Sequence, residues 1–125
     1  MTELKTTLFD FWSQFGMPAH LQDSVPHDAA LPYITYEATR VPGLSSLPLT
    51  AIAWFPASVD GNMRRTAFQD QVELLIPEGG IMLPVGDDGF IVLNRNDSGF
   101  VMDYQDQDNK NIIGARVSYL VRFYF

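Results

Sequence analysis

Residues 78–95 have the sequence EGGIMLPVGDDGFIVLNR and contain four glycines, a composition that can bind phosphate through backbone N–H groups. A P-loop needs Gly, four residues, Gly, Lys and then Ser or Thr, because the Lys neutralises the outer phosphates. Here Gly80 and Gly86 are separated by five residues, and Asp87 and Asp88 follow where the Lys belongs. Two carboxylates would repel a phosphate, and no Gly-x-Gly-x-x-Gly opens a helix after a strand. The spacing therefore argues against a nucleotide site.

The same segment matches a β-hairpin. Two apolar runs, residues 81–85 and 90–93, flank the sequence Gly-Asp-Asp-Gly at residues 86–89. Asp-Gly pairs are favoured in hairpin turns, where the backbone must adopt positive φ. We therefore expect two antiparallel strands joined by a tight turn.

The residues that most often do acid–base or nucleophilic chemistry lack the spacing for it. His20 and His27 are seven residues apart, without the neighbouring acid of a His-Glu-x-x-His zinc helix, and are interpreted as ordinary loop histidines. No Gly-x-Ser-x-Gly elbow surrounds Ser45, Ser46, Ser58 or Ser98. The absence of cysteine excludes disulfides, thiolate catalysis and cysteine-ligated zinc. We expect no enzyme activity, no cofactor and no structural metal.

An acidic cluster near the C-terminus has the composition of a calcium loop. Its members are Asp103, Asp106, Asp108 and Asn109. Counted from Asp106, an EF-hand requires Gly at position six and Glu at position twelve, but the chain has Asn111 and Val117 there. The cluster is interpreted as a solvated loop, with a weak and irregular cation site as the alternative.

The overall composition is that of one globular domain spanning residues 1–125. Hydrophobic residues make up 46% of the chain and aromatic residues 13%, which argues against disorder. Eight Lys and Arg against fifteen Asp and Glu give a net charge of −7, which leaves little for a basic, nucleic-acid-binding patch. The N-terminus lacks the pattern of a signal peptide, and no apolar run approaches the roughly 20 residues of a membrane span. We expect a soluble protein made in the cytoplasm.

Two helices are predicted from apolar residues at helical spacing. The first spans residues 2–15, and the second extends from an Asp60 N-cap to about Leu75. The buried face of the second helix is expected to comprise Phe68, Val72 and Leu75, widened by Met63, Ala67 and Leu74. Its remaining polar residues, Arg64, Arg65, Gln69 and Asp70, are expected to face water.

The other elements are predicted to be strands. They cover residues 19–22, 33–39, 47–55, the hairpin at 81–93, a segment after Gly99, and a long C-terminal strand from residue 112. Pro48 indicates that the third strand begins at or after it, or lies at a sheet edge. Hairpin-length connections favour an α+β fold: a mainly antiparallel β-sheet with both α-helices packed on one face.

Several segments together resemble a family of small phage and prophage proteins. These segments are an amphipathic first helix ending in FGMPA, then SVPHDAALPYITYEA, LPLTAIAWFPAS and LLIPEGGIMLPVGDDGFIVLNRN, and an aromatic last strand after an acidic loop. The best markers are LPYITY at residues 31–36 and GGIMLP at 79–84. The family is that of head–tail joining proteins, called minor capsid or tail-completion proteins, whose members are similar to tail terminators of long-tailed phages.

The resemblance implies a structural virion protein of the phage neck, assembled in the host cytoplasm. Its expected partners are copies of itself in a sixfold ring, the tail tube protein, and the head-completion or connector protein. DNA would pass through the lumen without sequence-specific binding, and no membrane is involved. Six copies would carry a charge of about −42, which would let DNA slide without adhering. The candidate lumen residues are Asp87, Asp88, Asp103, Asp106 and Asp108.

Exposed apolar residues are the candidates for contacts between subunits. The 40–46 segment carries Val41 and Leu44 and is long enough to reach a neighbour, and Phe9 lies off the apolar stripe of the first helix. Phe123 and Phe125 close an apolar C-terminus, where chain ends are normally polar and frayed. These side chains either bind a neighbouring subunit or pack within the chain.

Two further functions are consistent with the sequence. A connector-side adaptor or head-closure protein would also form rings. A small, soluble binding module without enzymatic activity could share the same composition. An enzyme would need a convergent polar pocket, which no motif here indicates.

Overall fold

A computed structural model describes residues 2–87, 89–96 and 99–124, with only the backbone for Thr2 and Glu3. The expected α+β class is confirmed. The elements are α1 (Thr2–Ser13), β1 (Ala19–Leu21), β2 (Tyr33–Tyr36), β3 (Ser46–Pro56), α2 (Val59–Leu75), β4 (Ile81–Val85), β5 (Gly89–Arg95), β6 (Val101–Gln105) and β7 (Ile112–Tyr124). No helix in the described ranges is both long and apolar enough to cross a bilayer.

Strand β7 organises the sheet. The strand order is β1-β2-β3-β7-β5-β4, and all pairs are antiparallel except β1 with β2. Every residue of β3 pairs with β7, from Ser46 opposite Arg122 to Pro56 opposite Ile112. The other side of β7 pairs with β6 near its start and with β5 near its end. A strand of 13 residues is therefore accommodated because it serves two shorter strands in series.

The sheet curls around α1. This helix contacts both β1 and β4, the strands at the two ends of the sheet order. Leu4, Leu8 and Trp12 are completely buried beneath it, and the Thr7 hydroxyl donates to the Pro84 carbonyl at 2.9 Å. α1 therefore fills the concave side of the sheet and links its edges.

Helix α2 packs on the same side, as expected, but begins differently from the prediction. Ser58 is its N-cap: the Ser58 Oγ accepts the N–H of Gly61 at 2.9 Å. Asp60 lies in the first turn instead, where a carboxylate interacts favourably with the helix dipole.

The buried face of α2 is narrower than predicted. Phe68 and Val72 are buried, but three apolar residues expected beside them are exposed: Met63, Ala67 and Leu74. The helix is turned toward β6, so that Gln69 Nε2 donates to Asp103 Oδ1 at 2.8 Å and Arg65 Nε lies 3.5 Å from the same oxygen. Arg65 and Gln69 therefore face the sheet edge and not open solvent.

Arg95 of β5 satisfies the C-terminal end of α2. Its Nε donates to the Ile76 carbonyl at 2.8 Å, and its Nη2 donates to the Glu73 carbonyl at 2.9 Å. The guanidinium also lies 4.8 Å from the centre of the Phe100 ring. The last carbonyls of a helix lack partners within the helix and attract positive charge. Because α2 has no basic residue in its own last turn, Arg95 supplies both the hydrogen bonds and the positive charge there.

Pro48 lies inside β3, two residues after the start of the strand, so the expected start at or after Pro48 is wrong, and the alternative of an edge position applies locally. Strand β2 pairs only with residues 51–54 of β3, so the side of β3 that faces away from β7 is open at Pro48. Thr50 uses that side, since its N–H binds Glu37 Oε1 and its carbonyl accepts the Glu37 N–H. The backbone nitrogen of Pro48, two residues before Thr50, points to the same open side. Because no strand pairs with β3 there, the missing N–H of proline removes no hydrogen bond between strands.

The hairpin predicted at residues 81–93 is confirmed, and two neighbouring glycines before it provide a matched test. Gly80 has φ +81°, and a Cβ placed on it would lie 2.8 Å from the Leu93 carbonyl oxygen. A Cβ on Gly79 would have nothing within 4 Å.

We expect Gly80→Ala to lower the free energy of unfolding by roughly 1–3 kcal/mol. Gly79→Ala should change it by less than about 1 kcal/mol. Urea unfolding of both variants measures the difference, and equal losses would contradict the assignment.

Candidate functional site

The sheet has one face without helices, which we call the outer face. It consists of the even-numbered residues of β3 to β7, together with Tyr33 and Thr35 of β2. The odd-numbered residues of β3 alternate with them and are mostly buried against α1 and α2. Because side chains in a strand alternate between faces, the register determines both surfaces together.

An aromatic pair lies at one end of the outer face. Phe90 and Tyr124 occupy opposite positions on β5 and β7, and their rings stack at 4.8 Å with an angle of 13° between planes. Both are exposed, as is Met82 on the neighbouring β4. Stacked rings normally lie in a core or an interface, so their exposure makes this end a candidate binding surface.

A second aromatic pair lies at the other end. Trp54 and Tyr104 meet edge to face at 5.6 Å, on either side of Gly114. A Cβ on Gly114 would lie 3.4 Å from Cε3 of Trp54, so glycine leaves space for the indole ring. The indole Nε1 of Trp54 donates to the Thr35 hydroxyl at 3.1 Å. This pair is therefore fixed by cross-strand packing.

The charge of the outer face differs from that of the whole protein. Arg116 and Arg122 are exposed there, and no even-numbered position of β3 to β7 carries Asp or Glu. Neither arginine forms an ion pair with another described residue. Glu37 borders the face just after β2, and its carboxylate is held by the N–H of Thr50 at 2.9 Å. A chain with net charge −7 thus presents a locally positive sheet surface.

The cavities of the described residues are shallow. One of about 280 Å³ lies on the outer face and is lined by Thr35, Glu37, Thr50, Tyr104 and Arg116, among others. Another, of about 340 Å³, lies beside the first and shares Glu37 with it. Neither is a deep apolar cleft with a few convergent polar groups, the usual form of a small-molecule site.

The acidic lumen candidates fall into two separated groups. Asp87 follows β4, near the C-terminal end of β7, whereas Asp106 and Asp108 precede the start of β7. At about 3.3 Å per residue, the length of β7 separates them by about 40 Å. Asp103 contacts Arg65 and Gln69 of α2. Asp88 lies outside the described residues.

The loop between β6 and β7 is shaped by its own side chains. Asp106 Oδ1 accepts the N–H of Asp108, and Asn109 Oδ1 accepts the N–H of Asn111, both at 2.9 Å. Such local bonds stabilise turns. Among the residues that the structure describes, no three His, Asp or Glu side chains converge as metal ligands.

The interface candidates divide into exposed and internal residues. Phe9 on α1, and Val41 and Leu44 between β2 and β3, are exposed. Phe123 is 8% exposed, and the Arg40 guanidinium lies 5.6 Å from its ring centre, so Phe123 packs within the chain. Phe125 lies outside the described residues.

The sequence interpretation did not single out the outer face. Alternation in the last strand indicated that Arg116 and Arg122 share one side, but not that this side lacks a covering helix. Phe90 and Met82 belong to continuous apolar runs in which inward and outward residues look alike. The pairing of Phe90 with Tyr124 needs the β5–β7 register, which joins distant segments of the chain.

Comparison with known proteins gives a fold without a function. No protein-family model matches this chain, and no curated protein matches it. A solved structure whose name describes no function has a TM-score of 0.58 at 12% identity; the match covers 99% of this chain and 92% of the other. At that identity the similarity shows a shared fold alone.

Tyr119 lies beneath the outer face and is the described group whose pKa is most strongly displaced. Burial raises the pKa of its phenol well above the ordinary value, with Glu37 and Tyr36 adding to the effect. Trp12 Nε1 approaches the phenol closely enough to oppose this shift partly, although the geometry falls short of a standard hydrogen bond. A phenol without solvent access is a core residue and not a catalytic one.

This buried phenol should make stability fall at alkaline pH. The pKa of Tyr119 is higher in the folded state than in the unfolded state. The contribution of Tyr119 to the free energy of unfolding is therefore complete below about pH 10, where tyrosine in the unfolded chain begins to ionise. Above that pH the free energy of unfolding should fall by about 1.4 kcal/mol per pH unit for this group. Tyr119→Phe, which removes the buried phenol, should reduce the slope. Denaturant titrations from pH 8 to 11 measure the slope of the free energy of unfolding against pH. An unaltered slope in Tyr119→Phe would refute the assignment of the alkaline loss of stability to Tyr119.

Proposed function

We propose that this chain is a ring-forming structural subunit of a phage neck, a tail terminator that caps the tail tube and joins it to the head connector. The observation that carries the proposal is the outer face. A sheet with both described helices on one side leaves an aromatic surface free on the other.

The physical argument begins with exposed apolar area. Monomeric proteins rarely expose contiguous apolar patches larger than a few hundred Å², and larger ones mark interfaces. Met82, Phe90 and Tyr124 are exposed together on neighbouring strands. They project from paired strands, which hold them in fixed positions. A rigid patch of this kind suits a permanent protein partner better than a passing small molecule.

A second copy is the partner that a ring requires. Homo-oligomers with closed symmetry are the commonest assemblies, and head-to-tail contacts close into rings when the rotation between copies allows it. The resemblance carried by residues 31–36 and 79–84 favours the neck of a long-tailed phage as the place of such a ring. The tail tube protein would meet one side of the ring and the head-completion or connector protein the other.

The first test is the assembly state of the unmodified chain. Size-exclusion chromatography with light scattering should give a multiple of the 14.1 kDa subunit, or a subunit that assembles when tail tubes are added. Electron microscopy of intact particles should then show a ring of this chain between tube and connector. A stable monomer that binds neither itself nor tail tubes would refute the proposal.

The outer face should be required for that assembly. Phe90→Ser removes an exposed ring and its stacking on Tyr124 without opening the core. We expect self-association to weaken at least about tenfold, since truncation of an aromatic residue at an interface hot spot costs about 2 kcal/mol or more. Lys110→Ser, in the β6–β7 loop, is the matched control and should assemble normally. Equal assembly of both variants would show that the outer face is not an interface.

The acidic lumen can be tested one group at a time, because the two groups lie at opposite ends of β7. Asp106→Lys with Asp108→Lys alters one end, and Asp87→Lys alters the other. The group that lines the lumen should slow DNA release when reversed, since positive charge binds phosphates. Asp23→Lys, in the loop after β1, serves as a control. Asp103 is left unchanged because it contacts α2. Triggered DNA ejection gives the rates, and unchanged rates for both ends would contradict an acidic lumen.

A further inference from the structure

Helix α2 carries a second exposed apolar surface, which we call the α2 stripe: Val59, Met63, Ala67 and Leu74. The spacings of four, four and seven residues place these side chains on one side of the helix, opposite Phe68 and Val72. Val59 is 80% exposed, Met63 68% and Leu74 81%. Helices that pack on a sheet normally present polar residues to water, so an apolar solvent side requires an explanation.

The charges around the α2 stripe are mainly negative, although exposed Arg64 lies next to Asp60 on the helical wheel. Asp70 lies within the stripe on the helical wheel, and Asp60 and Glu73 flank it. None of the three carboxylates forms an ion pair with another described residue. The α2 stripe is therefore apolar and acidic, whereas the outer face is apolar and basic.

The two surfaces also match in length. Asp60 and Glu73 are thirteen residues apart, or about 20 Å at 1.5 Å per helical residue. Arg116 and Arg122 are six residues apart on β7, also about 20 Å at 3.3 Å per strand residue. A helix lying along β7 would thus place a carboxylate near each arginine, with Met63 and Ala67 between the carboxylates.

We propose that the α2 stripe of one copy binds the outer face of the next copy, with α2 lying along β7. This contact rests on the proposed ring and specifies how its subunits meet. Each copy would use both surfaces, because α2 lies on the concave side of the sheet and the outer face on the other. The contact is therefore head-to-tail, the kind that can close into a ring.

Charge also disfavours the two symmetric alternatives. Pairing of two outer faces would place Arg116 and Arg122 against the same residues of another copy. Pairing of two α2 stripes would bring Asp60, Asp70 and Glu73 together in the same way. Like charges across an interface oppose association, whereas the mixed pairing joins opposite charges.

Charge reversal on each surface provides the test. The sheet variant carries Arg116→Glu and Arg122→Glu, and the helix variant carries Asp60→Lys, Asp70→Lys and Glu73→Lys. Each variant alone should lose the assembly and elute as a subunit of 14.1 kDa. Mixed in equal amounts, the two should assemble again, because every contact between unlike copies restores opposite charges. Lys110→Glu changes charge away from both surfaces and should assemble normally, and circular dichroism should show that all variants are folded.

The outcomes separate this contact from the function it rests on. If the unmodified chain forms rings and both variants also do, the contact is overturned while the ring remains. Variants that stay apart when mixed would overturn the contact too, since the two surfaces would then have different partners. A chain that never assembles, alone or on tail tubes, would overturn both.

Crosslinking gives an independent measurement, because the chain contains no cysteine of its own. Met63→Cys places a thiol at the middle of the α2 stripe, and Leu120→Cys places one between Arg116 and Arg122 on β7. With a short bismaleimide, the mixture of the two variants should yield crosslinked dimers, and each variant alone should yield few. Crosslinking of either variant with itself would indicate a symmetric contact and overturn the proposal, as would a mixture without crosslinks.

Discussion

The pairing of β3 with β7 determines most of the molecule, because it fixes which side chains face the helices. All residues of β3 take part, from Ser46 opposite Arg122 to Pro56 opposite Ile112. A slip of one residue would turn Val117 and Tyr119 to solvent and bring Arg116 and Arg122 into the core. Burying unpaired arginines costs several kcal/mol each, so the apolar pattern of β7 admits one register. The core and the outer face are therefore two results of one constraint.

Residue size on these two strands then places the helices and the exposed rings. Ala51, Ala53 and Ala115 are buried small residues in the middle of the sheet, and larger side chains enter the space above them. Trp12 of α1 lies 5.7 Å from the Tyr119 ring, and Phe68 of α2 lies 6.2 Å from that of Phe55. On the opposite side, Gly114 leaves space for the indole ring of Trp54. Small residues on β3 and β7 thus shape both surfaces, and the arrangement requires α1 and α2 to lie on the same side.

The sequence was sufficient for the elements and the fold class, since these depend on local apolar period and turn residues. It was insufficient where one pattern admits two structures. Helix α2 has apolar residues on two opposite sides, and its period alone does not reveal which side meets the sheet; the structure buries Phe68 and leaves Leu74 exposed. The effect of Pro48 likewise depended on how far β2 extends beside β3. The outer face needed strand pairings between distant segments, which no local pattern contains.

Net charge and local charge have opposite consequences for assembly. Copies that each carry −7 repel one another, but at physiological ionic strength this repulsion is screened beyond about 8 Å. Contacts within an interface act at shorter range and are less screened. Arg65 and Arg95 are used inside the subunit, whereas Arg116 and Arg122 have no described ion-pair partner. In the proposed contact, two arginines on an uncovered aromatic face meet three carboxylates around an uncovered apolar helix, and this short-range complementarity would offset the repulsion between copies at a distance.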